Sequence, residues 1–390
     1  MIRAVAGLLF GLVIGALAVC LPARADETAV GAEAMAAAHR ILDAAKAEAA
    51  RDCSQPSDVL VRILCDHKLR VGLRTYYPGF SVRDPTGKYS GFEVAIARRF
   101  AAFLDVPMVP SAVDPKNRIP MVAAGDIDLV IATMGHNLQR DDQVRFIRPH
   151  YYQSRTVVVG AEDRRVTDWD DLGGQTVCLP VGSSSNLVVM RHHVRILTFD
   201  RPEQLLDALA FQQCAFILHD DTFFAALLAD PIWSSQFGVK FGFSPLPWGM
   251  AVARSGAAQW TALLTDLSVA YHADGIFVAL AQAHKVDTVF LKQQQQRWSA
   301  PGCFNADGSI EPSCLIPPTD DSDAHDAASF ASQAVWLEGI AKDWFGTRLD
   351  LSLLQHQSTV DLLLEGSAFR WRSSPERWWR RPCSRWRSPA

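Results

Sequence analysis

The stretch from residue 69 to residue 152 changes its hydrophobic period in a fixed order, and that order most limits the possible folds. Leu69 to Arg74 (LRVGLR) is a short apolar run, the pattern of a buried strand. It breaks at Tyr76-Tyr77-Pro78-Gly79-Phe80, where a proline and a glycine force a turn that carries three aromatic rings. From Gly91 the period becomes helical, with Phe92, Ile96, Phe100 and Leu104 on one stripe and Glu93, Arg98 and Arg99 off it. Pro107 to Val113 and Asp128 to Thr133 then read as further strands, separated by a short helix over Asn117 to Ala124 that ends at Gly125. Strand, turn, helix, strand is the plan of an open α/β sheet, whose ligands sit beyond the carboxyl ends of the strands. The rings of Tyr77 and Phe80 are expected to point there.

The pattern restarts after a crossing segment at Thr156 to Gly160. Strands are predicted over Gln175 to Pro180, Arg195 to Phe199 and Ala215 to Leu218, with helices over Leu187 to His192, Glu203 to Phe211 and Thr222 to Leu228. Trp248 to Ala253 reads as a strand returning to the first layer, followed by helices near 257–271 and 275–284. The expected fold class is therefore α/β, with two lobes of similar size hinged about a cleft by a double crossing. Such clefts trap small ligands. Lobe 1 is assigned to about 66–155 and 248–290, lobe 2 to about 156–247, and the whole ligand-binding domain to 58–290. Residues 26–57 form an alanine-rich helical extension, residues 291–366 a C-terminal extension, and residues 367–390 a basic, disordered tail.

The N-terminus reads as a secretory signal over residues 1–25. Met1-Ile2-Arg3 precedes an uncharged run from Ala4 to Val19, and Ala23-Arg24-Ala25 is an A-x-A cleavage site. Export to an oxidising compartment agrees with the cysteines. Cys53/Cys65 and Cys303/Cys314 are close in sequence, and Cys178 and Cys214 fall on two predicted strands of one sheet. Three local disulfides would leave Cys383 over, with connectivity open from sequence alone; the chain has no C-x-x-C pair, so metal binding is the poorer reading. The net charge of −4 includes a tail with seven arginines after Phe369, so the body is more acidic than the whole. An acidic body without a basic stripe argues against nucleic acid as a partner.

Catalytic motifs are thin. G-x-S-x-G, H-E-x-x-H and a Walker loop are absent, and adjacent His192 and His193 point apart on a helix, so neither a cofactor, a metal nor an enzyme activity is expected. Binding groups are better represented. Gly182-Ser183-Ser184-Ser185 before a helix offers backbone donors for an anion, although the same text is an ordinary helix cap. Arg140, just past the 128–133 strand, can hold a carboxylate bidentately, against the plainer reading of a loop charge neutralised by Asp141 and Asp142. Asp220 ends a strand at the ligand edge and suits an amine, with Asp221 as the helix cap.

With these pieces assembled, residues 58–290 resemble the family-3 solute-binding proteins, the periplasmic receptors of polar amino acid ABC transporters. The text that carries the likeness is LRVGLRTYYPGF, GKYSGFEVAIARRFA, GDIDLVIATMGHNLQRDDQVRF, VCLPVGSSSN and CAFILHDDTF. The resemblance implies the two-lobed type II periplasmic binding protein fold, and a Cys178–Cys214 pair of the kind found in part of the family. It implies that Tyr77 and Phe80 pack on the ligand side chain, that Thr133 and Gly135 offer loop contacts, and that Arg140 holds the α-carboxylate. Gly182 and Ser183 would donate backbone N–H bonds to that carboxylate, and Asp220 would take the α-amine. Gly135 and Asn137 stand where the family usually has a serine and a threonine. A cleft walled by Tyr77, Phe80, His136 and Asn137 leaves glutamate, glutamine, arginine and histidine equally open. The implied function is capture of a free amino acid in the periplasm, by a monomer, for delivery to an inner-membrane ABC permease. Cyclohexadienyl dehydratases share the fold, but that alternative needs a cleft acid beyond Asp220, and a ligand-sensing module is a third reading. Residues 291–366 look like the connecting piece of fused receptor–permease chains. The arginine- and tryptophan-rich text that follows implies a frame change or truncation near residue 367.

Overall fold

The computed structural model describes residues 28–183, 185–192, 194–305 and 307–319. The expected signal segment and basic tail, Cys383, and the C-terminal extension beyond residue 319 lie outside the described residues.

Lobe 1 is preceded by helices α1 (Ala29–Ala49) and α2 (Val59–Cys65). It then runs through β1 (Leu69–Arg74), a small three-stranded sheet of β2 (Tyr76–Tyr77), β3 (Ser81–Arg83) and β4 (Tyr89–Ser90), then α3 (Phe92–Leu104) and β5 (Met108–Val113). After these come α4 (Arg118–Ala124), β6 (Leu129–Val130), α5 (Leu138–Asp141) and β7 (Val144–Phe146). Lobe 2 comprises β8 (Tyr152–Ala161), β9 (Thr176–Pro180), α6 (Asn186–Met190), β10 (Arg195–Phe199), α7 (Glu203–Ala210), β11 (Phe216–Asp220), α8 (Asp221–Leu228), α9 (Pro231–Ser234) and β12 (Phe237–Trp248). The chain returns through β13 (Ala251–Ala253) and closes lobe 1 with α10 (Ala258–Ala273), α11 (Ile276–Ala283) and α12 (Val289–Trp298).

The two sheets have the orders β5-β1-β6-β13-β7 and β10-β9-β11-β8-β12. In each, a parallel core is flanked by antiparallel strands: β1 pairs parallel with β5 and β6, and β9 pairs parallel with β10 and β11. The chain crosses between lobes after β7 and again between β12 and β13. The expected single strand from Trp248 to Ala253 is thus two strands interrupted at Gly249-Met250, because the ladder must change sheets there. Likewise, only Leu129 and Val130 of the expected 128–133 strand lie in the ladder; Thr133, with φ +45°, turns the chain out toward the cleft.

Strand β12 was not foreseen, and its sequence FGVKFGFSPLPW shows why. Two prolines near its end disfavour a strand reading, yet β12 is the edge of its sheet, where a missing donor costs little. Register shifts at Val239/Phe241 and Phe243/Pro245 absorb the mismatch against β8.

The alanine-rich extension is an adjoining helix. Gly31, Ala34, Ala38, Leu42 and Ala45 form its buried stripe, small enough for α1 to lie close against α10. Thr28 caps it by accepting from Gly31 N, and donates through its own backbone N and hydroxyl to Asp274 Oδ1 at 2.8 and 3.0 Å. The pairs Cys53–Cys65, Cys178–Cys214 and Cys303–Cys314 are disulfide-bonded. The first ties the loop after α1 to the end of α2.

One buried carboxylate joins these helices to the lobe. Asp58 Oδ1 accepts from Leu60 N at 2.9 Å and Trp260 N at 3.1 Å, and Oδ2 accepts from Gln259 N at 3.0 Å. It therefore caps α2 and α10 together. Asp58→Ala leaves buried amide donors unsatisfied at two helix starts, and the expected loss is about 2–4 kcal/mol. Urea unfolding of the two proteins measures it; a loss within about 0.5 kcal/mol would contradict the double cap.

Candidate functional site

The carboxyl ends of the two parallel sheets face each other across a cleft of about 360 Å³, measured out to its open mouth. Its lining includes Arg74, Arg118, Thr133, Gly135 and Arg140 from lobe 1, Ser183, His219 and Asp220 from lobe 2, and Leu246 and Trp248 from the crossing strand. Three of the charged members are placed by element ends. Arg74 is the last residue of β1, Arg118 the first of α4, and Asp220 the last of β11.

Arg140 sits on α5, a single turn whose N-cap Asn137 accepts from Arg140 N at 2.9 Å. Its guanidinium donates to Gly135 O at 2.9 Å and, across the cleft, to Gly182 O at 3.3 Å. Gly182 has φ +78°, and a Cβ there would lie 3.1 Å from Pro115 Cβ of the other lobe; glycine meets both demands. At position 135 a Cβ would fall 2.0 Å from Leu246 Cδ2, so Leu246 fills the space a serine side chain would take. Asn137 spends its side chain on the cap. The two departures from the family loop thus have local causes.

Asp220 receives a bond from the Tyr77 hydroxyl at 3.2 Å, and His219 Nδ1 lies 3.3 Å from the same oxygen, Oδ2. The Tyr77 hydroxyl also lies 2.8 Å from Thr222 Oγ1. These contacts and an ion pair between Lys116 and Asp200 join the lobes in a closed form.

Arg140, Asp220, Thr133, Gly135 and Ser183 of the sequence-derived set therefore line one cleft. Gly182 adjoins it through its carbonyl. The helix that follows, α6, has five residues and starts at Asn186, with Ser185 at its N-cap position. Tyr77 and Phe80 are placed differently from expectation. Both are fully buried and pack edge-on against each other and against Trp248, with centroids 5.2–5.8 Å apart. They pack on Trp248, which is itself buried and lines the cleft. His136 is also core: it stacks on Phe146 and bonds His150 at 2.7 Å. Sequence reasoning missed Arg74 and Arg118. Arg74 could have been found by the rule that picked Asp220, a charge closing a buried strand at the ligand edge. Arg118 gave no such signal, since it sits within a short amphipathic helix.

Beneath Thr133 lies a second carboxyl. Glu93 is wholly buried, and its Oε1 accepts from Thr133 N at 2.6 Å and from the Tyr151 hydroxyl. Burial pushes the Glu93 carboxyl up to about 7, opposed by those two bonds and by the charges of Arg74 and Arg118. Between the ordinary value of 4.5 and about 7 the native state binds more protons at this group than the unfolded chain, so its contribution to stability falls as pH rises. Glu93→Gln removes that slope. Relative to the variant, the wild type is expected to lose about 3 kcal/mol between pH 4 and pH 8. Urea titrations of both at several pH values give the difference, in which the buried histidines cancel; parallel curves would refute the assignment.

The chain matches the sequence model for bacterial extracellular solute-binding proteins, family 3, over residues 69–297. It is 29% identical over 165 residues to the glutamine-binding protein of Geobacillus stearothermophilus, covering 40% of this chain and 63% of that one. It is 26% identical over 208 residues to the ABC transporter glutamine-binding protein GlnH of Bacillus subtilis, covering 52% and 75%. In fold it is similar to the solute receptor for L-cysteine of Neisseria gonorrhoeae, with a TM-score of 0.54 and 24% identity over 58% of this chain and 93% of that one. The match to the family over more than half of its length, on two hinged α/β lobes, makes this chain a member of the bacterial extracellular solute-binding proteins, family 3.

Proposed function

We propose that this protein is an exported, monomeric receptor that closes around a free amino acid in the periplasm and hands it to an ABC transporter permease. The observation that carries the reading is the placement of Arg140 and Asp220, from different lobes, on one cleft. A zwitterion fits that opposition. The guanidinium takes the α-carboxylate, and the Asp220 carboxylate takes the amine through Oδ1, since Tyr77 and His219 both approach Oδ2. Thr133 Oγ1 is buried with no partner among the described residues and supplies a further donor at the lining. The glutamine-binding relatives support the same class of ligand. The makeup of the cleft favours binding over catalysis. Among the described lining residues Asp220 is the one acid.

Thermal-shift screening of the full chain against the twenty amino acids tests this. A ligand at 100 times its Kd raises stability by about 2.7 kcal/mol, a shift of several degrees. Arg140→Ala and Asp220→Ala are each expected to weaken binding by about 100-fold or more, the cost of leaving a buried charge of the ligand unpaired. Absence of a shift with every amino acid, or normal binding by both variants, would overturn the reading.

A further inference from the structure

The cleft holds more positive charge than a zwitterion requires. One guanidinium and one carboxylate suffice for an α-amino acid head group, yet Arg74 and Arg118 line the same space as Arg140. Neither is at the protein surface: Arg74 is 5% exposed and Arg118 3%. Among the described residues neither forms an ion pair with a carboxylate. Arg118 Nη1 donates to Ala132 O, and Nε is buried with no partner among the described residues. Arg74 lies over the Tyr77 ring, 5.9 Å from its centroid. That contact steers the guanidinium but neutralises nothing.

The compensating groups at hand are few. Asp220 is the one lining acid among the described residues, and it is already assigned to the amine. Glu93 reaches this region only from beneath Thr133, with Oε1 committed to Thr133 N and Tyr151. Burial and its positive neighbours Arg140 and Arg74 all push the Arg118 pKa down, as expected where like charges share a closed space. Closing such a cleft over a neutral ligand side chain leaves two buried guanidinium groups without a counter-charge, which is costly. A second carboxylate removes that cost.

We infer that the ligand's side chain is itself anionic, a dicarboxylic α-amino acid whose distal carboxylate is held by Arg74 and Arg118 while Arg140 and Asp220 hold its head group. Arg74 is the specificity-determining residue of the pair, because it closes β1 at the cleft and lacks the carbonyl bonds that give Arg118 a structural duty. A cationic side chain is rejected by repulsion. A neutral amide presents its NH2 to groups that can only donate. The inference rests on the amino-acid-receptor reading and narrows it.

Titration calorimetry of the full chain with L-glutamate, L-aspartate, their isosteric amides L-glutamine and L-asparagine, and L-arginine provides the test. An acidic ligand is expected to bind at least about tenfold more tightly than its amide, with arginine the weakest. In Arg74→Gln that preference should fall to about threefold or less, through weaker acid binding with the amide held or improved. The wild-type comparison needs no variant, so it stands if Arg74→Gln fails to fold. Amides or arginine binding as tightly as the acids would overturn the inference and leave the receptor reading intact. Heat from none of the five, together with no shift in the twenty-amino-acid screen, would overturn both. A folded Arg74→Gln that keeps the full acid preference would remove Arg74 from its role.

Discussion

Two parallel β-layers that turn their carboxyl edges toward each other, joined by only two strand crossings, constrain everything else in this molecule. At such an edge the strands end and their last side chains are no longer covered by the neighbouring helices. Arg74 and Asp220 occupy equivalent places, one at the end of β1 and the other at the end of β11, both inner strands of their sheets. These two charges are therefore carried by the sheets themselves. Arg140 is carried differently. It stands on a one-turn helix held by the Asn137 cap, and the backbone nearby is tied to Thr319, whose N donates to His136 O and whose O accepts from Leu138 N. Residues beyond the family match thus brace the loop that carries the lobe-bridging arginine.

The strands and helices that repeat a clean period were legible in the sequence. β1, β9 and the stripe of α3 stand where periodicity put them, because the buried faces of a parallel sheet and its covering helices dictate residue type position by position. Legibility failed where tertiary context overrides local preference. β12 contains prolines that only an edge strand tolerates. Asp128 to Thr133 is apolar enough for a strand, but the chain must leave the sheet to reach the cleft.

The site divides along the same line. A charge closing a buried strand could be nominated by rule, which picks Asp220 and applies equally to Arg74, whereas Arg140 was nominated from the loop beyond its strand; all three line one cleft. Aromatic residues could not be sorted into lining and core, since burial and ligand contact favour the same side chains. Tyr77 and Phe80 pack in the core against Trp248, which lines the cleft. Tyr77 keeps a part in the site through its hydroxyl alone, which spans the lobes to Asp220 and Thr222. Its phenol is held well above the ordinary value by burial and by the negative Asp220. It is therefore a donor throughout the neutral range.

The interlobe contacts bear on what closure costs. Arg140 to Gly182, Tyr77 to Asp220 and Lys116 to Asp200 all join groups from different lobes, so the closed form has favourable contacts of its own. Against them stands the mutual repulsion of three guanidinium groups in a space with one lining acid among the described residues. A ligand shifts the open–closed balance only by its differential affinity for the two forms. Here a ligand that removes the repulsion gains most from closure, because its counter-charge then acts away from water. The same residues that select the ligand then set how strongly it drives closure. Selectivity and closure are in this way one electrostatic quantity, read once as affinity and once as population.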